Sequence, residues 1–580
     1  MPPQRLVRRI PGLAARFVLA RPVHTTAAAI ACCGQGMGRG ARQPKLAPQP
    51  GILAMAARCA ASGAIVSALL ASPVSAGAEA GQAETTQCVL SQDDGATALG
   101  ETGEGVETPT SDAAETPTSD AAAEPKAEVA AKPASKPATG YYVEPGSYGT
   151  RRETTVPQYV RQASKTGIAA LSELDWLDLG LDHRMRYEMR DDDYRRASAK
   201  TDNLFLFRTR AYFGIKNILD PFRLVVEVED ARSTNSRFKK DNRDVNSVEP
   251  IQLIAELYFK DALGKDALGQ NRPVSLRAGR MWFEKLDRRL IGNNAWRNTT
   301  NTFQGVHLDL GREENDWEFE LIAAQPLDRK LYEFDRTNEG QWFIAAIGHW
   351  RRWSEVVTLE PYYLLLSQDD DGSRTKREIH SPALRFYGPI ADTAFHYDVN
   401  LVYQTGQDDG RDHEAFGAAS ELGYRFKHEW KPRLSAFYGY ASGDENPSDN
   451  NNERFERYYG FARPWSASDY FIWENFHAPK TRLELAPLKN LRLDAGYSAY
   501  WLASDQDRWA NANLRDPTGQ SGDFIGHEFD MRARYGITSQ IDATMGYAHF
   551  EPGGWTKNVG RNNPSDFFYL ELSFSAFPKL

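Results

Sequence analysis

Beyond Cys88 the chain has no cysteine, and all four that it contains (Cys32, Cys33, Cys59 and Cys88) lie near its start. A thiolate metal centre or a disulfide framework in the remaining length is thereby excluded. No run of eighteen apolar residues occurs in the 580, so the chain is not a polytopic helical membrane protein. Signatures of catalysis are missing too: there is no His-Glu-x-x-His pair, no Gly-x-Ser-x-Gly elbow and no P-loop glycine pattern. His380, His396 and His413 lack metal-ligand spacing. The acidic stretches Asp369–Asp371, Asp408-Asp409 and Asp444–Glu453 lack the residue order of a calcium loop. Basic residues are not interleaved with stacking aromatics, which speaks against nucleic acid. The sequence therefore predicts no enzyme, no cofactor and no metal site.

What is present is aromatic and polar at once. Aromatics make up 11% of the chain, with 25 Tyr, 28 Phe and 13 Trp, while 25% is charged and the mean hydropathy is -0.56. That combination fits a large soluble β-protein or a membrane β-barrel.

Charge is unevenly distributed. Residues 1–76 hold nine basic residues and no acid, so the net charge of -9 leaves -18 for residues 77–580. After Met37, basic residues from Arg39 to Arg58 precede an apolar run, Cys59–Leu70, and then Val74-Ser75-Ala76. This is the order of a secretory signal peptide, so residues 1–76 read as the leader; residues 1–36 are either an extended n-region or, the favoured reading, lie ahead of a true start at Met37. Residues 77–170 read as a disordered linker: ETPTSDAA occurs at Glu107–Ala114 and again at Glu115–Ala122, followed by Pro125, Pro133, Pro137 and Pro145. Such a segment cannot bury enough apolar area to offset its ordering entropy.

From Leu177 onward a period of two takes over. Leu177, Leu179, Leu181, His183, Met185 and Tyr187 share one face, and Asp178, Asp182, Arg184, Arg186 and Glu188 the other. The same pattern recurs at Phe205–Ile215, Phe222–Val228, Ile251–Lys260, Val274–Gly279, Val306–Leu310, Trp317–Ala323, Trp342–Trp350 and Val356–Leu366. It continues at Ala394–Thr405, Phe416–Lys427, Leu434–Ala441, Leu491–Leu502, Ile525–Tyr535, Ile541–Phe550 and Phe567–Phe577, with polar loops at Gln368–Lys376, Gln407–His413 and Ser442–Glu456. At roughly 22 residues per strand and connection, residues 171–580 hold on the order of 18 membrane-length strands. The prediction is an all-β, single-chain antiparallel transmembrane β-barrel of 16 to about 18 strands. Trp176, Tyr187, Trp342, Trp350, Tyr403, Trp430, Tyr500 and Trp501 lie near strand ends, as interfacial girdles require. The rival reading is a secreted soluble β-rich protein that binds or cleaves polysaccharide.

One segment is more specific. Residues 276–309 contain Arg277-Ala278-Gly279-Arg280, then Arg289-Leu290-Ile291-Gly292, Trp296 and Thr302-Phe303-Gln304-Gly305-Val306. This resembles the hallmark segment of the alginate-export family of outer-membrane porins, and Arg184–Glu188, Leu204–Arg210, Val228–Arg232 and Glu256–Lys260 resemble that family's first strands. The resemblance implies a barrel in the bacterial outer membrane with an electropositive lumen that passes an anionic polysaccharide.

Alternation places Arg184, Arg186, Arg208, Arg210, Lys216 and Arg277 toward the lumen, with Arg280, Arg288, Arg289 and Arg297 in or beside the following loop. A ladder of guanidinium groups offers planar, two-point contacts to successive carboxylates. Asp178, Asp182, Glu188, Glu227, Glu229 and Glu256 share the same faces, so single arginines also have wall carboxylates within reach. The expected function is an anion-selective porin for an alginate-like polysaccharide or other acidic solutes. Its expected partners are outer-membrane lipid, lipopolysaccharide and the barrel-assembly machinery, and it is expected to be a monomer.

Overall fold

In a computed structural model, period-two patterning becomes eighteen long antiparallel strands joined into a closed barrel. The described residues are 152–578 apart from 198, 199, 352, 353 and 355, so the predicted leader and residues 77–151 of the predicted linker lie outside them. The first nine strands are β1 (Leu177–Asp191), β2 (Asp202–Ile215), β3 (Phe222–Thr234), β4 (Asn246–Phe259), β5 (Val274–Met281), β6 (Phe303–Gly311), β7 (Trp317–Asp328), β8 (Gln341–Trp350) and β9 (Thr358–Gln368). The second nine are β10 (Arg377–Pro389), β11 (Phe395–Asp408), β12 (Arg411–Arg425), β13 (Arg433–Ala441), β14 (Phe476–Leu488), β15 (Leu491–Trp501), β16 (Phe524–Gly536), β17 (Ile541–Pro552) and β18 (Ser565–Ser575). Each pairs with its sequence neighbours, and β18 returns to β1 with Asp182 opposite Ser575 and Asp191 opposite Asp566. Closure leaves no sheet edge among these strands, which is what allows a sheet to sit in hydrocarbon.

Alternation decides the two faces. Leu181, Phe205, Phe213, Leu253, Leu276, Leu321 and Met545 point outward and are exposed, forming the lipid-facing band. Trp342, Trp350, Tyr403 and Trp430 are exposed in the same way. An apolar exterior of this kind excludes the rival soluble reading. Tyr500, expected in the girdle, is instead fully buried inside, its ring stacked on Phe471 at 3.6 Å between centroids.

Two strands, β10 and β14, escaped the sequence pattern. Both contain prolines, Pro382 and Pro389 in one and Pro479 and Pro487 in the other, and proline breaks both alternation and ladder. In β10 the pairing with β11 jumps from His380 to Ala383 across Pro382. The expected polar loop Gln407–His413 is mostly strand, turned by the two residues Asp409 and Gly410 with φ of 56° and 77°. Positive φ at both positions is the turn that matches strand twist, and Gly410 adopts it without steric cost.

Connections differ at the two rims. One rim carries both ends of the barrel chain and mostly short turns, such as 312–316, 390–394 and 489–490. The other carries long loops, including 282–302, 442–475 and 502–523. Outer-membrane barrels keep short turns on the periplasmic side and long loops outside. Loops 282–302 and 442–475 fold into the lumen and build an apolar core there. Phe283, Leu290, Ile291, Phe455, Trp465, Phe471 and Trp473 pack against inward Phe343, Ile347, Leu364, Phe437 and Tyr500 of the wall. The loops also meet each other, with Tyr459 N donating to Leu290 O at 2.9 Å.

Residues 152–170, expected to belong to the linker, are packed against the barrel. Val160–Gln162 pairs antiparallel with Gly180, Leu179 and Asp178 of β1, below the point where β18 ends. Tyr159 and Val160 supply the apolar anchor, buried with Tyr212.

Candidate permeation site

The inner faces of β1 and β2 carry the predicted arginines, and the inward loop 282–302 takes most of their donors. Arg184 donates to Ala295 O at 2.8 Å and Arg297 O at 2.7 Å, and Arg208 donates to Ala295 O at 3.0 Å. Arg186 donates to Trp296 O at 2.8 Å and pairs with Glu188 at 2.8 Å. Arg210 pairs with Glu229 at 2.8 Å and donates to Thr300 Oγ1 at 2.6 Å. The cause is backbone accounting: an irregular loop inside a barrel has carbonyls with no ladder, and the wall guanidiniums satisfy them.

The remaining predicted residues are dispersed. Lys216 pairs with Asp178 at 2.6 Å at the short-turn rim. Arg277 lies between Glu256 and Asp309, 3.2 Å from each, and Arg280 pairs with Glu249. Arg288 pairs with Glu284 at 3.2 Å and lies over the Phe461 ring, while Arg289 pairs with Asp287 at 3.0 Å. Of the ten, Arg208 and Arg297 form no ion pair among the described residues.

Arg297 is the member that leads to something further. Its charge is disfavoured first by burial and then by Arg329, Arg243 and Arg457, which together hold its pKa well below the usual arginine value. With its amide oxygen turned toward Arg297, Asn294 accepts from Nη1 at 3.1 Å and from Nε at 3.0 Å. Arg329 donates to Asn301 Oδ1 at 2.5 Å, and the backbone of Arg243 is held by Thr299 Oγ1 at 3.2 Å. None of these four arginines forms an ion pair among the described residues. They come from four long-loop-rim connections: 235–245, 282–302, 329–340 and 442–475. Sequence reasoning found Arg297 alone, because no period marks the other three loops.

A second charged cluster lies on the walls of β6 to β9. His307 Nε2 is 2.8 Å from Asp309 Oδ1 and 2.9 Å from Glu320 Oε2, and His349 bridges Glu320 at 3.3 Å and Glu360 at 2.9 Å. Its carboxylates are already matched with cations: Lys285 on Glu320, Arg277 on Asp309 and Arg385 on Glu360. The cluster is an ion-paired wall network that ties Lys285 of the inward loop to the barrel.

A closed eighteen-strand barrel with an apolar exterior, a charged inner wall and loops folded into its lumen is a channel of porin type in the bacterial outer membrane. More particularly, the chain belongs to the alginate export family, whose model matches residues 175–569. Curated proteins give no match to the chain. Among solved structures, OpdQ of Pseudomonas aeruginosa is similar with 15% identity and a TM-score of 0.48 over 69% of this chain and 97% of that one. OccK11 (OpdR) of the same organism has 15% identity and a TM-score of 0.46 over 70% of this chain and 96% of that one. OprD, also from Pseudomonas aeruginosa, has 11% identity and a TM-score of 0.45 over 69% and 93%.

Proposed function

We propose that this outer-membrane channel passes an anionic polysaccharide of the alginate type, or other acidic solutes, without catalysing a reaction. The observation that carries this reading is that Arg243, Arg297, Arg329 and Arg457 come from four loops of one rim, Arg297 held by the Asn294 amide and Arg329 by Asn301, with no carboxylate at ion-pair distance among the described residues and Asp241, Asp335 and Asp469 further off. Arginine keeps its charge even where burial and like charges oppose it. A passing carboxylate relieves that mutual repulsion and accepts planar, two-point hydrogen bonds. Low-dielectric walls focus the field and raise the local anion concentration. Arg208, whose bonds go to neutral carbonyls and which forms no ion pair among the described residues, adds a further cation deeper in the lumen. Lipopolysaccharide around the barrel, insertion by the barrel-assembly machinery and a monomeric state complete the reading.

The test is ion selectivity in a planar lipid bilayer under a salt gradient. The reversal potential is expected to show anion preference, falling several-fold in the Arg297→Ser, Arg329→Ser double variant. Cation preference in the unaltered protein would overturn the reading.

A further inference from the structure

The segment before β1 crosses the lumen at its short-turn end. At one end it is seated firmly. Val160–Gln162 extends the wall beside Gly180, Leu179 and Asp178, in the ladder position that β18 leaves vacant. The Tyr159 ring lies over Gly180, where a Cβ would come within 2.8 Å of it, so the absence of a side chain makes the seat. Tyr159 OH donates to Glu227 Oε1 at 2.5 Å, and Glu227 also accepts from Trp282 Nε1 of the inward loop at 3.0 Å.

At the other end it is held lightly, and by polar contacts. Glu153 N donates to Glu284 Oε2 at 2.5 Å, and Asn293 Nδ2 donates to Glu153 Oε2 at 3.1 Å. Arg152 pairs with Glu313 at 2.8 Å, on the turn between β6 and β7. The segment thus runs from β1 to a turn five strands away. Val156, in the middle, is exposed. Between this segment and the inward loop lies a cavity of about 350 Å³, lined by Arg208, Arg210 and Arg288, by Asp182 and Glu284, and by Arg152 and Glu153 of the segment. The Glu153 carboxylate sits 3.9 Å from Arg210, facing a chamber whose wall and loop cations are arginines.

We propose that residues 152–157 are a gating arm, hinged at Tyr159–Gln162, that obstructs the periplasmic end of the lumen. Its trigger rests on the anion reading given above: Glu153 presents a carboxylate to Arg210, and an arriving acidic solute displaces it by binding the same guanidiniums. The blocking itself does not depend on which ions pass. Hinge and arm differ in the kind of contact that holds them. The hinge has a strand ladder, a buried ring and a buried hydrogen bond. The arm has two ion pairs, Arg152 with Glu313 and Glu153 with Arg210 at 3.9 Å, each with a partly exposed member, and hydrogen bonds near a further carboxylate, Glu284, whose pKa is pushed up first by burial and also by Glu153.

The experiment is single-channel recording on the full-length protein, comparing the unaltered chain with an Arg152→Ala, Glu153→Ala double variant. Gly180→Ala, which unseats Tyr159 by steric contact, provides an independent variant. Gel mobility before and after boiling establishes that each barrel is folded. Both variants are expected to raise mean conductance at least twofold, through a larger open level or loss of closures. Alginate oligosaccharide added to the unaltered channel is expected to increase its open probability, and to leave the double variant unchanged. Unchanged conductance in the folded double variant overturns the gate, even where anion preference is found. Raised conductance with cation preference keeps the gate and removes the anion reading with its trigger. An opened double variant beside an unaltered channel indifferent to oligosaccharide keeps the arm and overturns Glu153 as the displaced competitor.

Discussion

The guanidinium of Arg186 lies over the indole of Trp296, 3.9 Å from the ring centroid, and donates a hydrogen bond to the carbonyl of that same tryptophan. One wall residue therefore grips both the side chain and the backbone of one loop residue. Arg463, from the second inward loop, lies over the same ring at 3.7 Å, and the indole N–H donates to Asp469 at 2.8 Å. Trp296 is where the wall and both lumen loops are joined.

Trp296→Ala is expected to loosen loops 282–302 and 442–475 without opening the barrel. Each cation–π contact contributes about 0.5–2 kcal/mol, and the truncated ring adds a cavity cost of a few kcal/mol. Hydrogen exchange should rise several-fold in both loops while the eighteen strands stay protected. Equal loosening of strands and loops would show that Trp296 is not a local junction.

Arg210→Ala is expected to destabilise far more than Arg208→Ala, although both sit on one face of β2. Arg210 is paired with Glu229, which is 0% exposed. Removing one partner of a buried pair typically costs about 3–5 kcal/mol. Arg208 makes its bonds to loop carbonyls, so its loss costs about 1–3 kcal/mol. The temperature at which each folded band is lost on a denaturing gel orders the two variants. Arg208→Ala falling first would contradict the assignment.

Asp244, in the loop before β4, has its carboxyl pKa raised to about 6 by burial and by Asp241 and Glu188. A raised acid pKa means the folded state holds its proton longer than the unfolded one. The cost of ionising Asp244 in place therefore grows as pH rises from about 4 to 6, and persists above that. Asp244→Asn should stabilise the protein at pH 8 by on the order of 1 kcal/mol and leave it unchanged at pH 3. Thermal unfolding at the two pH values checks this. Equal effects at both would remove the titration as the cause.

The barrel was legible because lipid and lumen enforce opposite polarity on alternate residues, and that constraint is local. Sixteen of the strands show it, from Leu177–Asp191 to Ser565–Ser575. Arg377–Pro389 and Phe476–Leu488 hid behind their prolines. Tyr500 was misplaced because an inward aromatic near a strand end has the same sequence context as an outward one, and what distinguishes them is its lumen contacts with Phe471 and Trp465, 29 and 35 residues away. The direction of Arg184, Arg186, Arg208 and Arg210 was also legible. Their occupants were not, since Ala295, Trp296 and Thr300 come from a loop with no period and a contact separation of about a hundred residues. Arg243, Arg329 and Arg457 were invisible for the same reason: their proximity is created by loop folding rather than by spacing.

The apolar core inside the lumen is lopsided. Its wall side is drawn from β4 to β17, from Ile254 and Phe303 round to Tyr500 and Phe550, whereas β1 and β2 present Arg184, Arg186, Arg208 and Arg210 to the interior. The filling of the barrel is therefore asymmetric, with the inward loops packed on apolar side chains over most of the wall and hydrogen-bonded to guanidiniums at β1 and β2. Loop 282–302 is thus held by contacts of two opposite kinds: Phe283, Leu290 and Ile291 in the apolar core, Ala295 and Trp296 on the arginines of β1 and β2.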